Sequence, residues 1–164
     1  MRTLSLYFFA CIFLYSCQSN NAKIKDEENL KHLLGVSNIE YKIVFELDEL
    51  EQMNEGIYLA SLMLTDESFR ELIQNVQISK EVSLSPKYTA STWKNTPTKD
   101  VPFDIFSYNP TDEKTKELLV EIAGNLKDKD NFFFYTSEKV YTQNINLYVL
   151  DVGSKRIKIY QTYF

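Results

Sequence analysis

Ile145-Asn146-Leu147-Tyr148-Val149-Leu150-Asp151, then Val152-Gly153-Ser154-Lys155, then Ile157-Lys158-Ile159-Tyr160-Gln161-Thr162-Tyr163, runs almost to the end of the chain. Two runs rich in β-branched and aromatic residues, separated by a short glycine-containing stretch, read as a β-hairpin. Phe132-Phe133-Phe134-Tyr135 stands before them as a third strand. Parallel neighbours need a crossover of about a dozen residues or more, usually helical. Three strands in succession without one point to antiparallel pairing.

Working upstream, Pro110-Thr111-Asp112-Glu113 opens the clearest helix, whose stripe is Leu118, Leu119, Ile122, Ala123 and Leu126. Before it, residues 85–100 hold Pro86, Pro97 and many Ser and Thr residues and read as a loop, with Phe103 and Ile105 in a short edge strand after it. Ile78, Val82 and Leu84 alternate with polar residues as a strand. Thr65-Asp66-Glu67 starts a helix with Phe69, Leu72, Ile73 and Val76 at i, i+3, i+4, i+7. Ile57 to Leu64 is apolar on both sides, as in a central strand, and Tyr41, Ile43, Phe45 and Leu47 alternate with polar residues as a half-buried one. Residues 26–34 make a short helix closed by Gly35. The expected fold class is α+β: a mostly antiparallel sheet of about six to seven strands with two or three helices packed on one face. One domain over residues 26–164 is expected.

The other end of the chain carries an address. Met1-Arg2 is followed by the apolar run Leu4 to Tyr15, the shape of a secretion signal and too short for a membrane span, which needs about 20 residues. Leu14-Tyr15-Ser16-Cys17 then gives way to the polar Gln18-Ser19-Asn20-Asn21. This tetrapeptide resembles the bacterial lipobox, with Tyr15 where that motif has a small residue. The resemblance implies a signal peptide over residues 1–16, lipidation of Cys17, a tether over 17–25 and a lipoprotein of the bacterial cell envelope, on the periplasmic side or the cell surface. It covers the first 17 residues alone. Lys25-Asp26-Glu27-Glu28 looks like the acidic export tag of some surface lipoproteins; the other reading is an acidic first helical turn, which the helix dipole favours.

Removal of residues 1–16 takes Arg2 and Cys11 with it, leaving 148 residues with 17 basic and 23 acidic side chains, a net charge of −6. That is enough chain for one core without disulfides. No basic cluster opposes the negative balance, so nucleic acid is not an expected partner; the charge would suit a basic protein partner, the other reading being a protein that is simply acidic.

Little catalytic equipment can be counted. His32 is the only histidine, placed off the leucine stripe of the first helix, and Cys17 is the only cysteine after the leader. A zinc site or a Cys-His pair lacks its parts, no Gly-x-Ser-x-Gly occurs, and four glycines make no phosphate-cradling loop. No metal or cofactor is expected. Asp128-Lys129-Asp130-Asn131 starts like a calcium loop, but Phe132 fills the next ligand position. Asp48, Glu49, Glu51 and Glu55 crowd the connection between the first two strands, and paired carboxylates can cleave glycosidic bonds.

Aromatic residues are plentiful, with 9 Tyr, 8 Phe and 1 Trp after the leader. Trp93 and Tyr88 stand outside the strand patterns, in the proline-containing loop, and are candidate binding residues. The alternative for Trp93 is to fold back and cap the core. Two functions stay open at this point. One is a non-catalytic, lipid-anchored binding or interaction protein, of which an immunity or inhibitor lipoprotein is a particular form. The other is a small carboxylate-dependent hydrolase of glycans or cell-wall material.

Overall fold

The computed structural model describes residues 27–49, 56–77, 88–90, 92–98, 110–138 and 145–163. Its elements are α1 (Glu27–Leu34), β1 (Tyr41–Asp48), β2 (Gly56–Leu64), α2 (Asp66–Gln77), β3 (Tyr88–Ala90), β4 (Lys94–Asn95), α3 (Glu113–Lys127), β5 (Phe132–Glu138), β6 (Ile145–Asp151) and β7 (Arg156–Tyr163). The strands expected around Val82 and around Phe103 lie outside the described residues.

All pairings are antiparallel, in the order β1-β2-β7-β6-β5-β3, with β4 joining β5 beside β3. The hairpin pairs Asp151 with Arg156 across the turn, where Lys155 takes a positive φ of 53°. The fold is α+β: among the described residues, a seven-stranded antiparallel sheet with three helices. Residues 85–100 differ from the loop expected there. They supply β3 and β4, two strands too short to carry a period of their own.

The helices do not share one face. Leu30 and Leu34 of α1 and Leu72 and Val76 of α2 pack with Tyr58, Ala60, Leu62, Phe134, Tyr148, Leu150, Ile157 and Ile159. Leu118, Leu119, Ile122 and Leu126 of α3 pack with Ile57, Leu59, Phe133, Leu147, Val149 and Tyr160 on the opposite face. Strand side chains alternate between faces. In β2, β6 and β7 both sets are apolar, so a single helical layer would leave one apolar face in water. The helices flank the sheet instead.

β1 departs from its expected form for a related reason. Ile43 is opposite Leu62 and Phe45 opposite Ser61, so Val44 is an extra residue in a β-bulge. Before the bulge, Tyr41 and Ile43 pack on the face of α1 and α2; after it, Phe45 and Leu47 pack on the face of α3. A regular strand would keep all four on one side. The bulge lets one edge strand serve both cores.

Local signals end the helices as the sequence suggests. Gly35, at φ 67°, donates its N–H to the His32 carbonyl and closes α1. Asp112 caps α3 by accepting from the Thr115 N–H at 2.8 Å and hydroxyl at 2.7 Å. The same bonds hold the Asp112 carboxyl below its ordinary value.

Candidate interaction surface

β1 ends the sheet, and among the described residues no strand pairs with its outer edge. The Glu49 N–H donates to the Ile57 carbonyl at 3.1 Å. Antiparallel pairs alternate along a ladder, so the backbone groups of Glu46 and Asp48 point away from β2, outward. On the side chains, Lys42 and Glu46 are exposed, Asp48 and Glu49 half-buried. Val44, at 43% exposure, and Met63 on the neighbouring strand, at 39%, are among the few large apolar side chains in water. Exposed apolar groups at a strand edge are unusual, because edges invite pairing.

The sequence through β1 and beyond it is acidic, and its described part, residues 40–49, holds four carboxylates against one lysine. Residues 40–55 contain Glu40, Glu46, Asp48, Glu49, Glu51 and Glu55 against Lys42 alone, a net of −5, as large as that of the whole chain. Glu46 accepts the Tyr58 hydroxyl at 2.9 Å. Burial first, then that bond and the charges of Glu46 and Asp48, push the Tyr58 phenol far above its ordinary value. Tyr58 therefore stays protonated and holds the Glu46 side chain through its hydroxyl.

For hydrolysis, two carboxyl groups must converge. Asp48 pairs with Tyr58 and Glu49 with Ile57, so they occupy consecutive positions whose side chains leave opposite faces. Glu51 and Glu55 lie outside the described residues, as does Cys17. His32 is exposed in the last turn of α1.

The structure separates the two aromatic candidates. Tyr88 opens β3, paired with Glu138. Trp93 is 6% exposed and meets Phe134 edge-on, so it caps the core and is not an exposed anchor. Its loop is pinned where the Thr96 hydroxyl accepts the Asn131 N–H and Thr98 donates to the Leu126 carbonyl. Asp128 caps the end of α3, and Asp130 sits at φ 70° in the turn that follows. Among the described residues, no group of three or more His, Cys, Asp or Glu side chains could hold a metal ion, and no helix is long and apolar enough to cross a membrane.

One charged cluster has no counterpart in the sequence reading. Lys158, 3% exposed at its side chain, lies 3.1 Å from Glu121 of α3 and 3.2 Å from Asp151, and also donates to Asn125. Ser61, its neighbour on β2, is 2% exposed, and among the described residues its hydroxyl has no partner. The only sequence signal for this cluster is a lysine between Ile157 and Ile159 in a buried strand. The ammonium is held by groups on both sides of it, which makes the cluster a fastening between α3 and the hairpin. No family model, curated protein or solved structure matches the chain.

Proposed function

We propose that this chain is a lipid-anchored, non-catalytic interaction protein of the bacterial cell envelope, presenting the acidic β1 edge to a basic protein partner. The observation that carries the reading is the coincidence of charge and topology: residues 40–49 bear four carboxylates and one lysine, a net −3, and among the described residues β1 is the terminal strand. A field of one sign on one edge steers an oppositely charged partner and fixes its orientation. An immunity or inhibitor lipoprotein facing a basic secreted toxin is the form that this charge suits. The location rests on the leader and on Leu14-Tyr15-Ser16-Cys17.

The test combines labelling with fractionation. Radiolabelled palmitate should enter the parent chain but not Cys17→Ser, and the variant should leave the membrane fraction. A Cys17→Ser chain that still pellets and resists salt washing would overturn the anchor. For the partner, the parent should be retained on an immobilised basic protein such as lysozyme at low salt and released as salt approaches 1 M, where the Debye length is about 3 Å. Retention that ignores salt would remove charge as the basis of recognition.

A further inference from the structure

We propose that the α3 face of the sheet binds a small aliphatic carboxylate where β2 and β7 bring Ser61, Met63 and Arg156 together, with the Arg156 guanidinium and the Ser61 hydroxyl as its hydrogen-bond donors. The site is separate from the acidic stretch of β1 and stands without it.

Strand register assembles these residues. Ile157 and Ile159 pack with α1 and α2, so Arg156 and Lys158 stand on the face of α3. The same alternation puts Ser61 and Met63 there, since Ala60, Leu62 and Leu64 pack on the other side, and it puts Lys42 there between Tyr41 and Ile43. Met63 is opposite Arg156 on one side and Lys42 on the other, while Ser61 is opposite Lys158. Ser61 and Arg156 are thus diagonal neighbours of one antiparallel pair, about 7–8 Å apart and within reach of a side chain as long as arginine.

Two donors in this group are shielded from water without an acceptor. The Arg156 Nε and the Ser61 Oγ are both buried, and among the described residues neither has a hydrogen-bond partner. A buried donor left unmatched is costly, and more so when it belongs to a charged group. The carboxylate facing Arg156 across the hairpin, Asp151, is engaged elsewhere. One of its oxygens accepts the Ser154 N–H at 3.1 Å, and the other lies 3.2 Å from the Lys158 ammonium. Glu121 lies 3.1 Å from the same ammonium. In a chain with 23 acidic side chains, an arginine that pairs with none of the described ones keeps its donors for an anion from outside.

The surroundings define that anion. Lys42, Arg156 and Lys158 stand against Asp151 and Glu121, a local excess of one positive charge in a chain of net −5. Such an excess suits a monoanion, whereas a dianion would meet the two carboxylates. The planar guanidinium matches a carboxylate through two parallel hydrogen bonds. Met63, at 39% exposure, and Val44 on the neighbouring strand, at 43%, supply apolar surface for a short aliphatic tail.

The experiment reads the orphan donor itself. The chain contains Arg2, Arg70 and Arg156, so selective ¹⁵N labelling of arginine in the full chain, purified in detergent, gives few Nε–H signals. That of Arg70, whose Nε donates to the Asp66 carbonyl at 3.1 Å, is the internal reference. Sodium hexanoate is titrated at constant ionic strength, with hexylammonium chloride and inorganic phosphate in parallel, and calorimetry gives the affinities. A saturable shift of the Arg156 signal is expected with hexanoate, with Arg70 unmoved and no response to hexylammonium. Arg156→Lys, its fold checked by circular dichroism, should bind hexanoate about tenfold more weakly through loss of the charge-assisted pair, and Ser61→Ala about threefold more weakly through loss of one neutral hydrogen bond. Ser61→Ala keeps the test decisive because it removes no interaction of the folded chain. No saturable shift at Arg156, an equal shift at Arg70, or unchanged affinity in Ser61→Ala would overturn the proposal, and tighter binding of phosphate than of hexanoate would overturn the choice of anion.

Discussion

Trp93 meets Phe134 edge-on, with ring centroids 4.6 Å apart and planes at 61°, and Phe134 in turn stacks on Tyr148 at 4.6 Å. A short strand segment from an irregular region is thereby joined to the centre of the sheet. Beyond the area buried, aromatic pairs of this kind contribute about 0.5–1.5 kcal/mol each.

Trp93→Ala should therefore cost about 3–5 kcal/mol, as other large-to-small changes at buried aromatics do. Urea denaturation followed by circular dichroism measures it against the parent. An unchanged midpoint would mean that the indole is not part of the core.

Much of this fold was legible from periodicity, and the exceptions have physical causes. The hairpin, the three helices and the double-sided β2 follow from patterns that run for seven or more residues. Tyr41, Ile43, Phe45 and Leu47 also gave the right strand, but their alternation implies one face where they serve two, because a bulge leaves the alternation of residue types intact while turning the backbone over. The placement of helices on both faces was implicit in the apolar character of β2, β6 and β7 taken together. Tyr88 and Trp93 looked alike as loop aromatics; nothing local to residues 85–100 tells of a Phe134 waiting across the sheet. Lys158 was invisible for the opposite reason, since its partners lie 33 and 37 positions upstream on α3 and seven upstream on β6.

Ser61→Ala should raise stability by up to about 1 kcal/mol. A buried hydroxyl without a partner carries a desolvation cost, and its removal forfeits no hydrogen bond. Thermal and urea midpoints should both move upward. A fall of more than about 1 kcal/mol would show that the hydroxyl is satisfied in solution, for instance by a buried water.

Two glycines should respond in opposite directions. Gly35 closes α1 at φ 67°, a conformation that costs an L-residue about 1 kcal/mol or more, so Gly35→Ala should destabilise. Gly124 lies inside α3, and a Cβ built there meets nothing within 4 Å. Gly124→Ala should stabilise by about 0.5–1 kcal/mol through helix propensity. Measured side by side, two changes of the same sign would contradict the assigned backbone at one of the positions.

Asp151 and Lys158 form a pair whose members should not be equivalent. Asp151 is half-buried; burial raises its carboxyl, but the Ser154 hydrogen bonds and the Lys158 ammonium outweigh this and hold it below its ordinary value. Removing Asp151 leaves the nearly buried ammonium with Glu121, half in solvent, and Asn125. Asp151→Ala should cost about 2–3 kcal/mol, short of the 3–5 kcal/mol for a fully stranded buried charge, whereas Lys158→Met should cost under about 1 kcal/mol because both carboxylates keep access to water or Ser154. The pH dependence follows from the depressed carboxyl. Its contribution is present above the unfolded value near 3.9 and is lost as pH falls through the folded value beneath it. The stability gap between the parent and Asp151→Asn should accordingly stay level from pH 7 to about pH 5 and close at acid pH, below about 4. Urea midpoints of both proteins across that range give the answer. A gap that instead closes on going from pH 5 up to 7 would reverse the sign and dissolve the Lys158 fastening as the cause.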